Sequence, residues 1–333
     1  MLLLFPHGEL RADETLRSLL DINFERLVNT EVMPIDVLGS HIHLKGEWML
    51  GYRYRVMSME GNRDGARRQA DAEVLQSFTV APTAMTKEMH LVEIMYGFTD
   101  DLTIMALLPY KRLSMEHLTG TGVRFTTESR GFGDLALMAH YSIWRRPPHR
   151  LIILGSVRLP TGSITKRDDT PTAVNAKQPY PMQLGTGTMD LQPGLTYIGQ
   201  TKDWAWGGHA MATVGAGRNS EDYRVGNRYR MAAWGGYRIT DWISPSLGAT
   251  MQFWERYSGA DSELNPALVP TADPSRRGGR RLDVKVGLNL FATKGAMRGH
   301  RLSAEFGFPI YQHLSGPQLE TDWILTAGWT WRF

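Results

Sequence analysis

Thirteen of the seventeen methionines precede residue 190. In extended segments, Met49, Met57 and Met59, then Met89 and Met95, then Met105 and Met138 fall on one face of four successive strands. Thioethers select soft Cu(I), and imidazole suits Cu(II). His41 and His43, two apart, point the same way just ahead of this stripe, and His140 and His209 share its face. The residue types therefore outline a copper path through His41, His43, Met49, Met57, Met59, Met89 and Met95. The same pattern describes filler for a narrow, irregular interior, because Met is unbranched and adaptable, and packing is the preferred reading.

A nucleophilic pair is the other chemistry on offer. Ser58 closes the first of these segments and His90 opens the second, both on the opposite face, which would suit a lipid-facing hydrolase with a Ser/His pair across a hairpin. No third group orients the base and neither a G-x-S-x-G nor a Walker A pattern occurs, so the chain reads as a non-enzyme. Cysteine is absent, which removes thiolate metal sites and disulfides and suits an oxidising compartment. Lys and Arg number 37 against 34 Asp and Glu, far from the clustered basic surface of a nucleic-acid binder, and no nucleic-acid partner is expected.

What positions these residues is a strand rhythm. Leu282, Val284, Val286, Leu288, Leu290 and Ala292 alternate with Asp283, Lys285, Gly287, Asn289 and Phe291, leaving one aliphatic and one mostly polar face. The period predicts twelve strands, near 47–59, 88–98, 102–115, 133–144, 149–160, 188–200, 203–215, 227–239, 241–254, 281–292, 300–311 and 320–333. Short connections alternate with long polar ones, and an even count of long strands with unequal loops is the pattern of an outer-membrane barrel. No apolar run exceeds five residues, so spanning helices are excluded. Trp48, Trp144, Trp204, Trp206, Trp242, Trp329 and Trp331 sit beside the short turns or the chain end, as an interfacial girdle requires.

The polar face carries Arg53, Arg55, Arg150, Arg158, Arg228, Arg230, Arg238, Lys285 and Arg301 with Glu93, Asp283 and Glu305. Turned inward, these would line a narrow lumen, and the excess of Arg and Lys predicts a preference for anionic or polarizable aromatic solutes. Pro109, Pro193, Pro245 and Pro309 interrupt the pattern and are expected at bulges or strand ends. The expected fold is all-β: a single twelve-stranded antiparallel transmembrane β-barrel over residues 44–333, preceded by a short helical segment over 1–43.

The chain closes on Thr326-Ala327-Gly328-Trp329-Thr330-Trp331-Arg332-Phe333, and its Gly328, Trp331 and Phe333 resemble the signal read by the barrel-assembly machinery. Residues 39–333 resemble outer-membrane transporters grouped with the meta-pathway phenol-degradation family. The likeness rests on Lys45-Gly46-Glu47-Trp48-Met49, Leu159-Pro160-Thr161-Gly162, Gly185-Thr186-Gly187-Thr188-Met189-Asp190-Leu191 and Gly316-Pro317-Gln318-Leu319-Glu320-Thr321-Asp322. It implies the outer membrane of a Gram-negative bacterium, contact with outer-membrane lipid and transport of a small-molecule solute. It implies no catalytic residue or cofactor, and aromatic solutes follow from it alone.

Ahead of the strands, Leu16, Leu19, Leu20, Ile22, Phe24, Leu27 and Val28 recur at helical spacing within Ala12 to Asn29, with Asp13 and Glu14 at the start. Leu16 to Val32 is similar to the segment that opens the plug of energy-coupled receptors. A periplasmic tether is preferred over a plug, since one such helix crosses a barrel mouth without sealing it. Met1 to Phe5 lacks the basic start and long apolar core of a secretory signal, so the true start is expected upstream.

Overall fold

The structure, a computed structural model, describes residues 34–35 and 41–333. In chain order its strands are β1 (Trp48–Gly65), β2 (Arg67–Gln69), β3 (Val80–Gly97), β4 (Leu102–Thr119), β5 (Arg124–Phe132), β6 (Ala136–Arg146), β7 (His149–Arg158), β8 (Arg167–Thr170), β9 (Ala173–Lys177), β10 (Met189–Gln200), β11 (Trp204–Ala216), β12 (Tyr223–Arg224), β13 (Arg228–Tyr237), β14 (Ile243–Trp254), β15 (Ser258–Gly259), β16 (Gly279–Phe291) and β17 (His300–Arg332). Eleven of these form an antiparallel ring, in the order β17-β16-β14-β13-β11-β10-β7-β6-β4-β3-β1, and β17 pairs back onto β1 to close it. Two strands lie outside the ring, β2 against β1 and β5 against β4. The pairs β8–β9 and β12–β15 are small ribbons within the loops.

The period-two alternation places side chains as expected, but with the usual core inverted. Val92, Ile94, Ile104, Leu137, Leu195 and Leu247 face outward and are exposed, Leu247 by 60%. In water so continuous an apolar belt would drive aggregation; in a bilayer it is the lipid face. The buried side is polar, with Arg53, Glu93, His140, Arg150, Asp283 and Lys285 all inside. Closure satisfies the backbone groups that an open sheet edge would expose to hydrocarbon. Among the described residues no helix is long and apolar enough to cross a membrane.

Two features differ from the expected strands. β1 runs on to Gly65 and β3 begins at Val80, beyond the expected limits at 59 and 88. The extra residues rise past the apolar belt, where both faces meet water or loops, so the hydrophobic alternation fades while the ladder continues. The second concerns the count. The strands expected at 300–311 and 320–333 are one unbroken element, β17, whose residues 301–314 pair with β16 and 314–332 with β1. The ring therefore has eleven strand elements rather than twelve separate strands, because the ladder persists through the intervening residues: Leu314 sits opposite both Gly279 and Gly65. The helix expected over Ala12 to Asn29 lies outside the described residues.

The prolines fall where a ladder partner is missing. Pro109 lies where β4 passes from its pairing with β6, which ends at Leu107, to β5, which begins at Tyr110. Pro193 falls in a gap between the Leu191 and Gly194 pairings of β10 with β11, and Pro245 lies just past the Gly236–Ser246 end of the β13–β14 ladder. Pro309 flanks the register shift between β16 and β17. Each keeps a ladder partner on one side only, Leu91, Gly155, Leu288 and Asp283 in turn, as suits a residue without an N–H.

Candidate functional site

The lumen has two parts. Toward the long loops it opens into a chamber of about 530 Å³. The inward faces of β1, β3, β4, β7, β13 and β16 supply Arg55, Lys87, Lys111, Arg158, Arg228, Arg230 and Arg281 to its lining, and the 255–278 loop adds Arg277. Against these eight cations the lining holds a single carboxylate, Asp134. Met57, Met89 and Met211, with Tyr229, Phe253, Trp254 and Tyr257, fill the spaces between them. Burial pushes Arg277 down to about 10, so it stays charged at neutral pH. Such a concentration of one sign inside a low-dielectric wall raises the local concentration of counter-ions.

Three loops roof this chamber. Lys177, buried on β9, lies 2.6 Å from Asp261 and also pairs with Glu221, while Arg167 pairs with Glu263. The Asp261 N–H donates to Tyr180 Oη at 3.0 Å, and Tyr180 meets Tyr223 and Tyr257 edge-on at 4.8 and 5.2 Å. Burial disfavours the Lys177 ammonium, but the bonds to Asp261 and Glu221 outweigh it and raise its pKa above the ordinary value. The bond to Arg167 lowers that of Glu263.

Toward the short turns the lumen is crossed by the chain itself. Ile42, fully buried, packs on Ile152, Ile198 and Trp234 of β7, β10 and β13. On the other side the His43 N–H donates to Thr103 Oγ1 at 2.8 Å, the Lys45 N–H to Asp100 Oδ1 at 2.9 Å and the Gly46 N–H to the Gly97 carbonyl at 2.8 Å. Gly46 takes φ +84°, a left-handed turn that leads the strap into β1. Further upstream, Arg53 Nη1 donates to the Ile35 carbonyl at 2.8 Å, and Pro34 lies beside Trp234, Thr250 and Lys285. Pro34, Ile35, Ile42 and His43 thus sit inside the barrel, while Lys45 and Gly46 are exposed at its rim.

The charged residues singled out by alternation divide between these parts. Arg55, Arg158, Arg228 and Arg230 line the outer chamber. Deeper in, Arg53 pairs with Glu93 and Lys285 Nζ lies 3.0 Å from Glu305. Asp283 lies 2.8 Å from Arg281 of the chamber wall, and deeper in Arg301 Nη2 donates to Asn289 Oδ1 at 2.6 Å. Arg150 is wholly buried, whereas Arg238 lies past the end of β13 in a short turn. Alternation also puts Lys87, Lys111 and Arg281 on the lumen side, although Lys87 lies one residue before the strand expected at 88–98 and Arg281 at the first residue of the one expected at 281–292. Arg277, on a loop, carries no periodic signal.

The methionine stripe is split by height. Met49 and Met95 are buried together with Met105 and Met138 at the inner end, while Met57, Met59 and Met89 line the outer chamber. Ser58 stands opposite Thr86 and His90 opposite Tyr54, which separates the two by about 13 Å along the strands. His90 Nδ1 instead shares a 2.7 Å hydrogen bond with Tyr52 Oη, so the hydrolase pair is not assembled. At the seam, the backbones of Trp48 and Phe333 exchange hydrogen bonds of 2.9 and 3.0 Å, Gly328 lies opposite Arg53, and the Trp331 ring stacks on His300 at 5.4 Å.

The sequence profile of the family described as MetA-pathway of phenol degradation matches residues 61–308. The chain belongs to this family. No curated protein matches the sequence significantly. Among solved structures, the COG4313 outer membrane channel from Pseudomonas putida F1 superposes with a TM-score of 0.64 at 16% identity, covering 91% of this chain and 100% of that one. The transport unit of the autotransporter AIDA-I from Escherichia coli gives 0.49 at 9% identity over 94% and 97% of the two chains. The KdgM porin gives 0.40 at 9% over 86% and 99%. The first of these likenesses shares the fold, and the apolar outer belt marks that fold as a transmembrane β-barrel.

Proposed function

We propose that the barrel is a passive outer-membrane channel for small anionic solutes, aromatic ones included. The observation that carries this reading is the outer chamber, where eight cationic side chains face one carboxylate; rings of Arg and Lys select for anions. Tyr229, Phe253, Trp254 and the thioethers between the cations suit an aromatic body. The likeness in fold to an outer membrane channel supports a transport role. Reversal potentials across planar bilayers under a salt gradient test it: an anion-selective sign is expected, and a cation-selective one overturns it.

Three finer readings belong with it. The two halves of β17 act as separate passes, making twelve: a closed ring with only antiparallel neighbours needs an even number, so an element antiparallel to both β16 and β1 must double back. Hydrogen bonds of 2.9 Å in both directions between Gln312 and Thr321 support that reversal. The segment before β1 acts as a plug rather than a tether, since Pro34, Ile35, Ile42 and His43 are buried in the lumen. Gly328, Trp331 and Phe333 serve recognition by the assembly machinery, with Phe333 exposed at the chain end.

A further inference from the structure

Two rows of methionine cross the inner wall at different heights. In the inner row Met49, Met95, Met105 and Met138 are direct partners across β1, β3, β4 and β6, and all four are buried. In the outer row Met59, Met85 and Met115 are partners across β1, β3 and β4. Their settings differ. The outer row packs with Leu113, Leu184 and Leu319, the surroundings of a hydrophobic filler. The inner row forms its buried cluster with Ala136, and a single half-buried leucine, Leu107, packs against it.

Imidazoles supply the second observation. His140 stands opposite Thr103, one inward position from the Met105–Met138 pair, and His43 is fixed at the same level by its bond to Thr103 Oγ1. Both rings are buried, at 0% and 2% exposure, and Nε2 of His43 has no hydrogen-bond partner. Buried polar atoms of this kind call for an explanation, and an ion is one. Partners directly across an antiparallel sheet have Cβ atoms about 5 Å apart, so flexible thioether arms from neighbouring strands can converge on one point. Among the described residues no three His, Asp or Glu side chains are grouped to hold a metal, which disfavours a hard cation. Thioether with neutral imidazole is the donor set of a soft one.

We propose that the inner row binds one soft monovalent ion, Cu(I), through thioethers of Met95 and Met105 with Met49 or Met138, completed by imidazole nitrogen from His140 or His43. His43 belongs to the strap and the other donors to the wall, so coordination through His43 ties the strap to β3 and β4. The site is independent of the anion chamber.

The test uses the full chain folded in detergent, labelled with methyl-13C methionine and titrated with Ag(I), a redox-stable stand-in, then with Cu(I) held reduced by ascorbate. One equivalent is expected to shift the methyl resonances of Met95 and Met105 and leave those of Met59, Met85 and Met115 in place. Met95→Leu with Met105→Leu, which roughly conserves volume, is expected to weaken Ag(I) binding at least ten-fold while heat-modifiable migration persists. His140→Phe should weaken it with the methionines intact. Unshifted inner resonances, equal shifts in both rows, or undiminished affinity in the folded double variant would each overturn the proposal. If the double variant fails to fold, the titration of the unmodified chain decides alone.

Discussion

The outer and inner halves of the lumen are built on the same strands yet solve opposite problems. In the outer chamber like charges gather, and Arg55, Lys87, Lys111, Arg228 and Arg277 share a cavity with one carboxylate. In the inner half charge is matched: Arg53 meets Glu93, Lys285 meets Glu305, and the space between is closed by Ile42 and the methionine row. Matched, desolvated pairs fix geometry without attracting a solute. A lining with an excess of one sign does the reverse, and counter-ions relieve it. One half of the lumen is therefore suited to gathering a solute and the other to restricting its exit.

Removing residues 1–43 should separate the halves most sharply. The strap and its upstream contacts leave, the outer chamber stays, and single-channel conductance is expected to rise several-fold with the same ion preference. Unchanged conductance would mean that the inner half imposes no restriction. Next in size is Arg228→Glu with Arg230→Glu, which changes the chamber's lining from eight cations and one acid toward balance. Anion preference is expected to fall toward none or invert, with Ag(I) binding at the inner row untouched; a selectivity ratio equal to the parent's would place the filter elsewhere.

A control outside both halves is Val286→Arg on the lipid face, where Val286 is exposed. A cation near the bilayer midplane costs about 2–4 kcal/mol, measurable as a lowered denaturant midpoint for the folded barrel. No change would argue that this face is not in lipid.

The smallest effect concerns the roof over the chamber. Lys177 has its pKa raised, so its contribution is complete below the ordinary lysine value of about 10.4 and is lost only as pH rises through the higher folded value. Glu263 is lowered; its contribution is present above the ordinary glutamate value of about 4.3 and fades as pH falls through the lower folded one. The roof should stay latched across neutral pH and loosen at both extremes, and Lys177→Met should loosen it throughout. Protease cleavage within 159–188 and 255–278, followed against pH, reads this directly. A flat profile in the parent chain would remove the latch.

Most of the barrel wall was readable from alternation because the bilayer imposes it: a strand such as β16 must show Val284, Val286 and Leu288 to lipid and Asp283, Lys285 and Asn289 to the lumen. Above the membrane that demand ends, which is why the far ends of β1 and β3 went unread and Lys87 with them. The strap was obscured for another reason. Ile35, Ile42 and His43 form no periodic element, and only the tertiary contacts to Arg53, Ile152 and Thr103 reveal that they lie inside. The methionines were recognised by type and face, but the separation of Met49 and Met95 from Met57 and Met59 depends on height along the strand, which parity alone does not give.

The account rests most heavily on the excess of cations over acids in the lining of the outer chamber. The direct measurement is the reversal potential of the full chain in a planar bilayer under a ten-fold potassium chloride gradient, repeated at higher salt. An anion-selective potential that shrinks as salt screens the chamber is the predicted result, and a potential of cation-selective sign at low salt would contradict it.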